Sequence, residues 1–328
     1  MQLYPLRFEP VYQYRLWGGR RLSDWLDAAL PGDAPIGEAW ILSDREEHSS
    51  VVADGALKGQ TLRQLLQRWP TELMGLWSGG VNRFPLLLKF LDVRGSLSVQ
   101  VHPSDQQTAL LPAGDSGKTE GWVVLAAGTD ARVYAGLTPD TTGAIFRDAL
   151  TDGTVVEHLA SFRPKIGDAV VIPAGTVHCL HDLLVFEVQE NSDVTFRLYD
   201  WNHVDPRTHK PRPLQVEAAL ACINFPQGAI GATTPIVEDG AMPRREQLFD
   251  CGHFALWRIR SERLFGVGGG GMPRFLVCID GLGQIMHDGN AYAIGKGDAM
   301  LLPAELGACS CMPLGSITLL DVSLPVGA

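Results

Sequence analysis

Short apolar runs bounded by turn-forming residues set the rhythm of this chain. Ser50–Ala53, Leu97–Val101, Trp122–Leu125, Ala169–Ile172, Leu183–Val188 and Phe275–Ile279 are rich in β-branched and aromatic side chains, and most are closed by Gly, Pro, Asp or Asn. That combination predicts strands. Helical spacing of apolar positions is confined to Thr61–Trp69, with Thr61 as the N-cap, and to stretches around Thr142 to Leu150 and Leu214 to Ile223. The helices are few and scattered, without the regular strand and helix alternation that builds a parallel sheet. The expected fold is mainly β and antiparallel, with a few peripheral helices.

An internal echo extends this picture. Gly167-Asp168-Ala169-Val170-Val171-Ile172-Pro173-Ala174 returns as Gly297-Asp298-Ala299-Met300-Leu301-Leu302-Pro303-Ala304. In each copy Gly-Asp is a hairpin-type turn, the apolar run is a buried strand, and Pro ends the strand where a missing N–H is tolerated. Val124–Gly128 and Val277–Gly281 form a weaker pair upstream. Two β-barrel or jelly-roll units are therefore expected, residues 1–234 and 235–328. Within the second, Gly268–Gly271 reads as a flexible loop, because a phosphate cradle needs a strand before it and a helix after it.

Composition narrows the function classes. With 45% hydrophobic and 20% charged residues, the chain is neither disordered nor fibrous. Its formal net charge of -10 argues against general affinity for nucleic acid or an anionic membrane, so any basic groups that matter are local. No segment approaches the roughly 18 apolar residues that span a bilayer, and the N-terminus carries no signal-like run; a cytoplasmic location is the expectation. The six cysteines form no CxxC pair and sit mostly beside apolar residues, as small core residues do in a reducing compartment.

Chemistry concentrates in the first unit. The first copy of the echo runs on through Gly175-Thr176-Val177 to His178, whereas the second has Ala308 at the corresponding position. In Val99-Gln100-Val101-His102, Gln100 and His102 are two apart on a strand and share one face of the sheet. Glu120 lies just before the strand that begins at Trp122. Gln100, His102, Glu120 and His178 together make a mixed nitrogen and oxygen site that suits zinc, with other divalent first-row metals as alternatives. A histidine after a strand is more often an ordinary polar residue, so this constellation depends on its members meeting in space.

Longer blocks of sequence add weight. Phe84–Asp92, Leu97–Pro103, Gly117–Glu120, Ile172–His178 and Glu187–Asp200 resemble, in order and spacing, the type I mannose-6-phosphate isomerases, and Trp17-Gly18-Gly19 and Gly37-Glu38-Ala39-Trp40 match less specifically. The resemblance implies a double cupin fold with one zinc ion per chain in the N-terminal barrel and none in the C-terminal one. It implies aldose to ketose interconversion of a hexose 6-phosphate, mannose 6-phosphate and fructose 6-phosphate, through an enediolate. Gln100, His102, Glu120 and His178 match the metal ligands, Arg197 the catalytic arginine, Glu187 the acid/base carboxylate, and Ser98 and Lys118 the substrate-binding polar residues. The Asn-His-Lys-Pro-Glu block and helical insertion of the long members are missing; Gly117-Lys118-Thr119-Glu120 stands there instead, as in the short bacterial branch.

The residue types fit that chemistry on their own terms. Moving a carbonyl between C1 and C2 requires a proton to leave carbon, and the enediolate needs stabilisation where its charge develops. Glu187 in the apolar run Leu184–Val188 is placed for burial that raises its pKa. Alternatives remain open at this point: an isomerase of unphosphorylated mannose or another sugar phosphate, a metal- or sugar-binding cupin without turnover, and a dioxygenase-type cupin, against which the Gln and Glu content speaks.

Overall fold

The computed structural model describes residues 2–240 and 242–325. Nine strands build the first sheet: β1 (Val11–Gly19), β2 (Ile36–Leu42), β3 (Leu86–Ser96), β4 (Val99–Val101), β5 (Glu120–Leu137), β6 (Leu159–Phe162), β7 (Ala169–Ile172), β8 (His178–Glu190) and β9 (Phe196–Tyr199). Their order is β1-β2-β3-β8-β4-β9, with β5 pairing β8, β6 and β7. Eight strands build the second: β10 (Ile236–Val237), β11 (Arg244–Asp250), β12 (Ala255–Ser261), β13 (Phe265–Gly268), β14 (Arg274–His287), β15 (Asn290–Gly295), β16 (Ala299–Leu302) and β17 (Ala308–Ser323). They run β10-β11-β12-β17-β14-β15, with β13 on β17 and β16 on β14. Pairing is antiparallel in both sheets.

Period-2 alternation decides which side chains face where. In β8, Leu183 and Val185 join a cluster enclosed by the first sheet, while Leu184, Phe186 and Val188 join a larger cluster outside it. In β14, Leu276 and Cys278 belong to the interior of the second sheet, and Phe275 and Val277 turn to that same larger cluster. The two sheets thus share one apolar layer, which also takes in Leu3, Leu6 and Leu301. The N-terminal segment is stitched to β16 by reciprocal backbone bonds of 2.8 Å between Leu6 and Leu301. Cys278, Cys309 and Cys311 pack in the second interior as small apolar residues.

The echo in sequence is an echo in structure. Gly167 and Gly297 both sit in left-handed backbone, φ +89 and +90, where glycine is the natural residue. The turn bonds to Val124 in the first sheet and to Cys278 in the second, one residue out of step with the ungapped match of Val124 to Val277. His178 and Ala308 each open the long strand that follows.

The three expected helices form at Leu62–Arg68, Gly143–Asp152 and Val216–Cys222. Thr61 caps the first in a reciprocal box with Gln64. Two short helices, Arg21–Leu26 and Pro70–Met74, carry too few residues to show periodicity. Ser50–Ala53 is not a ladder strand: Ser50, Val52 and Ala53 donate to Ser43, Gln60 and Arg7 in turn, so each backbone group meets a different segment. Gly268 closes β13, and the glycine run leads into strand β14.

Leu301→Ala should lower the unfolding free energy by about 2–5 kcal/mol, the cost of a cavity at a fully buried leucine. Urea unfolding compared with the unaltered chain measures it.

Candidate active site

Short β4 lies between β8 and β9, and register sets Gln100 opposite His178 on one side and Arg197 on the other. Across β5 and β8, Trp122 faces Glu187 and Glu120 faces Gln189; across β3 and β8, Lys89 faces Glu187. Alternation puts Glu120 and Trp122 on the enclosed face of β5, so polar groups replace the apolar filling at one end of that interior.

There His102, Glu120 and His178 converge with their ligating atoms within 4.8 Å of one another. His178 Nε2 is 3.2 Å from Glu120 Oε1, and His102 Nε2 is 3.4 Å from Oε2. Each imidazole donates its Nδ1 proton to a backbone carbonyl, His102 to Val194 at 2.8 Å and His178 to Thr176 at 2.9 Å. A carbonyl can only accept, so both Nε2 atoms carry lone pairs and point at the carboxylate. Gln100 Nε2 is 3.1 Å from His178 Nε2, and its Oε1 accepts from Ser98 at 3.1 Å; a half-turn of the amide would present the oxygen instead.

Burial sharpens the electrostatics. His102, Glu120 and His178 are 1% exposed or less. Desolvation pulls His102 down to about 3 and lowers His178, so both rings are neutral. For Glu120, burial works against the charge, but the Lys118 ammonium prevails and holds the carboxyl well below its usual range. Lys118 Nζ is 2.9 Å from Glu120 Oε2 and 3.2 Å from His102 Nε2; burial opposes its charge and Glu120 restores it, raising the ammonium overall. Neither oxygen of Glu120 accepts a well-directed hydrogen bond. Two imidazole lone pairs and a carboxylate facing one another form a donor set that fits a divalent cation.

Beside this cluster opens a cavity of about 430 Å³ whose walls include Gln100, Lys118, Glu187 and Arg197. Glu187 accepts from Trp122 Nε1 at 2.9 Å and lies 3.2 Å from Lys89 Nζ. Burial raises its pKa and prevails over the opposing pull of Lys89. Arg197 is held by Ser98 Oγ at 3.2 Å and the Pro213 carbonyl at 3.2 Å. All eight residues singled out from sequence therefore meet at one end of the first sheet.

Arg15, Glu38 and Arg212 line the same cavity and were not singled out. For Glu38 the signal available was a lone carboxylate inside the apolar run Ile36–Leu42. Arg15 clamps it through Nε at 2.8 Å and Nη2 at 3.1 Å, and Trp40 Nε1 donates to it at 2.6 Å. A separate group, Asp105, Glu190 and His253, meets at the surface. There Glu190 accepts from the Thr119 amide at 2.7 Å, and His253 lies 3.2 Å away.

A mainly β chain with two neutral histidines and a carboxylate buried beside a polar cavity has the outline of an enzyme whose site fits a divalent cation. The family described as phosphomannose isomerase type I, catalytic domain, matches residues 5–120. Mannose-6-phosphate isomerase ManA of Bacillus subtilis is 34% identical over 313 residues, 94% of this chain and 95% of that protein. The mannose-6-phosphate isomerase of Streptococcus mutans is 31% identical over 303 residues, covering 91% and 92%. Among solved structures, the mannose 6-phosphate isomerase from Bacillus subtilis superposes with a TM-score of 0.89 at 27% identity, covering 98% of this chain and 99% of that one. The chain belongs to the type I phosphomannose isomerase family of enzymes. Among the described residues, no helix is long and apolar enough to cross a membrane.

The Glu38 clamp has a pH signature. Burial alone would raise this carboxyl, but Arg15 and Lys89 lower it from 4.5 to about 2. A depressed carboxylate contributes stability above its unfolded pKa and loses it as pH falls through the folded value, a difference of about 3 kcal/mol here. Unfolding free energy should therefore fall more steeply between about pH 4.5 and 2 in the unaltered chain than in Glu38→Gln, as urea melts at stepped pH would read.

Proposed function

We propose that this protein interconverts mannose 6-phosphate and fructose 6-phosphate, using one divalent metal ion, zinc by donor chemistry, held by Gln100, His102, Glu120 and His178. The observation that carries the reading is the Glu120 carboxylate set between two imidazole lone pairs, 3.2 and 3.4 Å away, beside a cavity that also holds Glu187 and Arg197. A cation bound there supplies Lewis-acid polarisation of the sugar oxygens. Glu187 takes the C2 proton of the aldose as charge develops on O1; the O2 proton passes to O1, and Glu187 returns a proton to C1, leaving the ketose. Its raised pKa suits it to both halves of that transfer. Lys89 and Trp122 fix the carboxylate from behind through contacts of 3.2 and 2.9 Å. Arg197 adds a fixed positive charge toward the developing enediolate. Ser98 orients both Arg197 and Gln100. Lys118 neutralises Glu120 and presents its charge to the cavity wall.

This reading includes two jelly-roll units dividing near residues 234 and 235, with the metal in the first. The split between the sheets after Tyr199 and before Ile236 supports it, as does Ala308 standing where His178 stands in the other copy. The reading takes the enzyme as cytoplasmic and acting on a small anionic sugar, and the acidic net charge fits the absence of nucleic acid or anionic membrane as partner.

The purified protein should convert mannose 6-phosphate far faster than free mannose, lose the activity on chelation, and regain it with zinc. Elemental analysis should find one ion per chain, and His178→Ala should lose most of it. Equal rates on free mannose would favour an isomerase of the unphosphorylated sugar, and metal binding without turnover a binding cupin.

Arg197→Ala should keep its fold and metal while kcat falls by roughly two orders of magnitude, as when one transition-state charge stabiliser is removed. Steady-state kinetics alongside metal analysis checks this; activity within a few-fold would reduce Arg197 to a structural residue.

A further inference from the structure

The cavity wall carries more positive charge than the isomerisation itself employs. Arg15, Arg197 and Arg212 all line it, so three guanidinium groups share one cavity of about 430 Å³, and Arg197 is lowered by burial first and then by the charge of Arg212, with Arg15 adding to it. Each is braced from behind. Arg15 is clamped by Glu38 at 2.8 and 3.1 Å and donates to the Tyr14 carbonyl at 3.1 Å. Arg212 is gripped by both oxygens of buried Asp200, with Nε at 2.8 Å, and Arg197 is tied to Ser98 and Pro213. A guanidinium has five N–H groups; these bonds use three on Arg15 and two each on Arg197 and Arg212. The two lysines of the cavity are engaged elsewhere, Lys89 with Glu187 and Lys118 with Glu120. Asp193 and Asp205 also line the wall; Asp205 is occupied by Tyr14 Oη at 3.0 Å, and Asp193 acts on Arg15 as a nearby negative charge.

We infer that Arg15 and Arg212, beside Arg197, form the seat for the phosphoryl end of the substrate. The inference rests on the isomerase reading and assigns its specificity for a phosphorylated over a free hexose to these two residues. Three crowded guanidinium groups held in fixed orientation match a phosphate dianion, which relieves their repulsion and accepts paired N–H bonds. Glu38 and Asp200 act as positioning residues that keep each planar fork aimed into the cavity. The acidic chain thereby obtains the local basic pocket that an anionic substrate needs.

The test uses the metal-loaded full chain and two double variants that each remove a whole ion pair, R15M/E38Q and R212M/D200N, so that no buried charge is left stranded. E38Q and D200N alone serve as controls for the pairs' structural part. Calorimetry with inorganic phosphate, and KM for mannose 6-phosphate, should each worsen at least about tenfold in both doubles relative to their own controls, with kcat falling by a smaller factor. Phosphate affinity and KM within twofold of those controls would overturn the assignment. Were the unaltered protein to leave mannose 6-phosphate unconverted, the isomerase reading would fall, while the phosphate titrations would still report on the arginines.

Discussion

The buried carboxylate of Glu120 is the constraint around which the first sheet is organised. A carboxylate removed from water is costly unless it is compensated, and here Lys118 compensates it. Lys118 supplies a charge at 2.9 Å, and the two histidines are turned toward the carboxylate by carbonyls behind them. Those carbonyls belong to Thr176 and Val194, on the chain segments that enter β8 and β9. The strands that hold the sheet together are thus the same strands that orient the rings.

Charge pairing continues outward in layers. Lys89 stands over the Trp40 ring, 3.2 Å from Glu187 and 3.9 Å from Glu38, and Glu38 is in turn clamped by Arg15. Such a chain lets two carboxylates share one enclosed wall with opposite tendencies. Glu38 is driven down to about 2 by its guanidinium, whereas Glu187, with burial prevailing over Lys89, is driven up. One is a permanent anion and the other a group able to exchange a proton.

Much of this was legible in the sequence because the informative residues are local. The echo around Gly167 and Gly297, the Thr61 cap and the spacing of Gln100 and His102 are all short-range patterns, and each has a structural counterpart. Arg197 joined the group through resemblance to a family, since nothing in local spacing brings it to His178. What escaped was set by the partner across the sheet. In β3, Leu86 to Val93 is buried on both faces, so Asp92 breaks no alternation that could flag it. Arg15 has meaning only through Glu38 on the neighbouring strand, a pairing that hydrophobic pattern does not encode.

The apolar layer between the sheets has a bearing on how this chain can change over time. Leu184, Phe186 and Val188 from one sheet and Phe275, Val277 and Leu320 from the other lie in a single cluster. The second sheet therefore works as half of a common wall, whatever chemistry its own interior has or lacks. A gene encoding only the first sheet would expose that wall to water, so the second sheet serves the first through its outer face. Its inner face is a separate apolar interior, free to drift so long as it stays apolar.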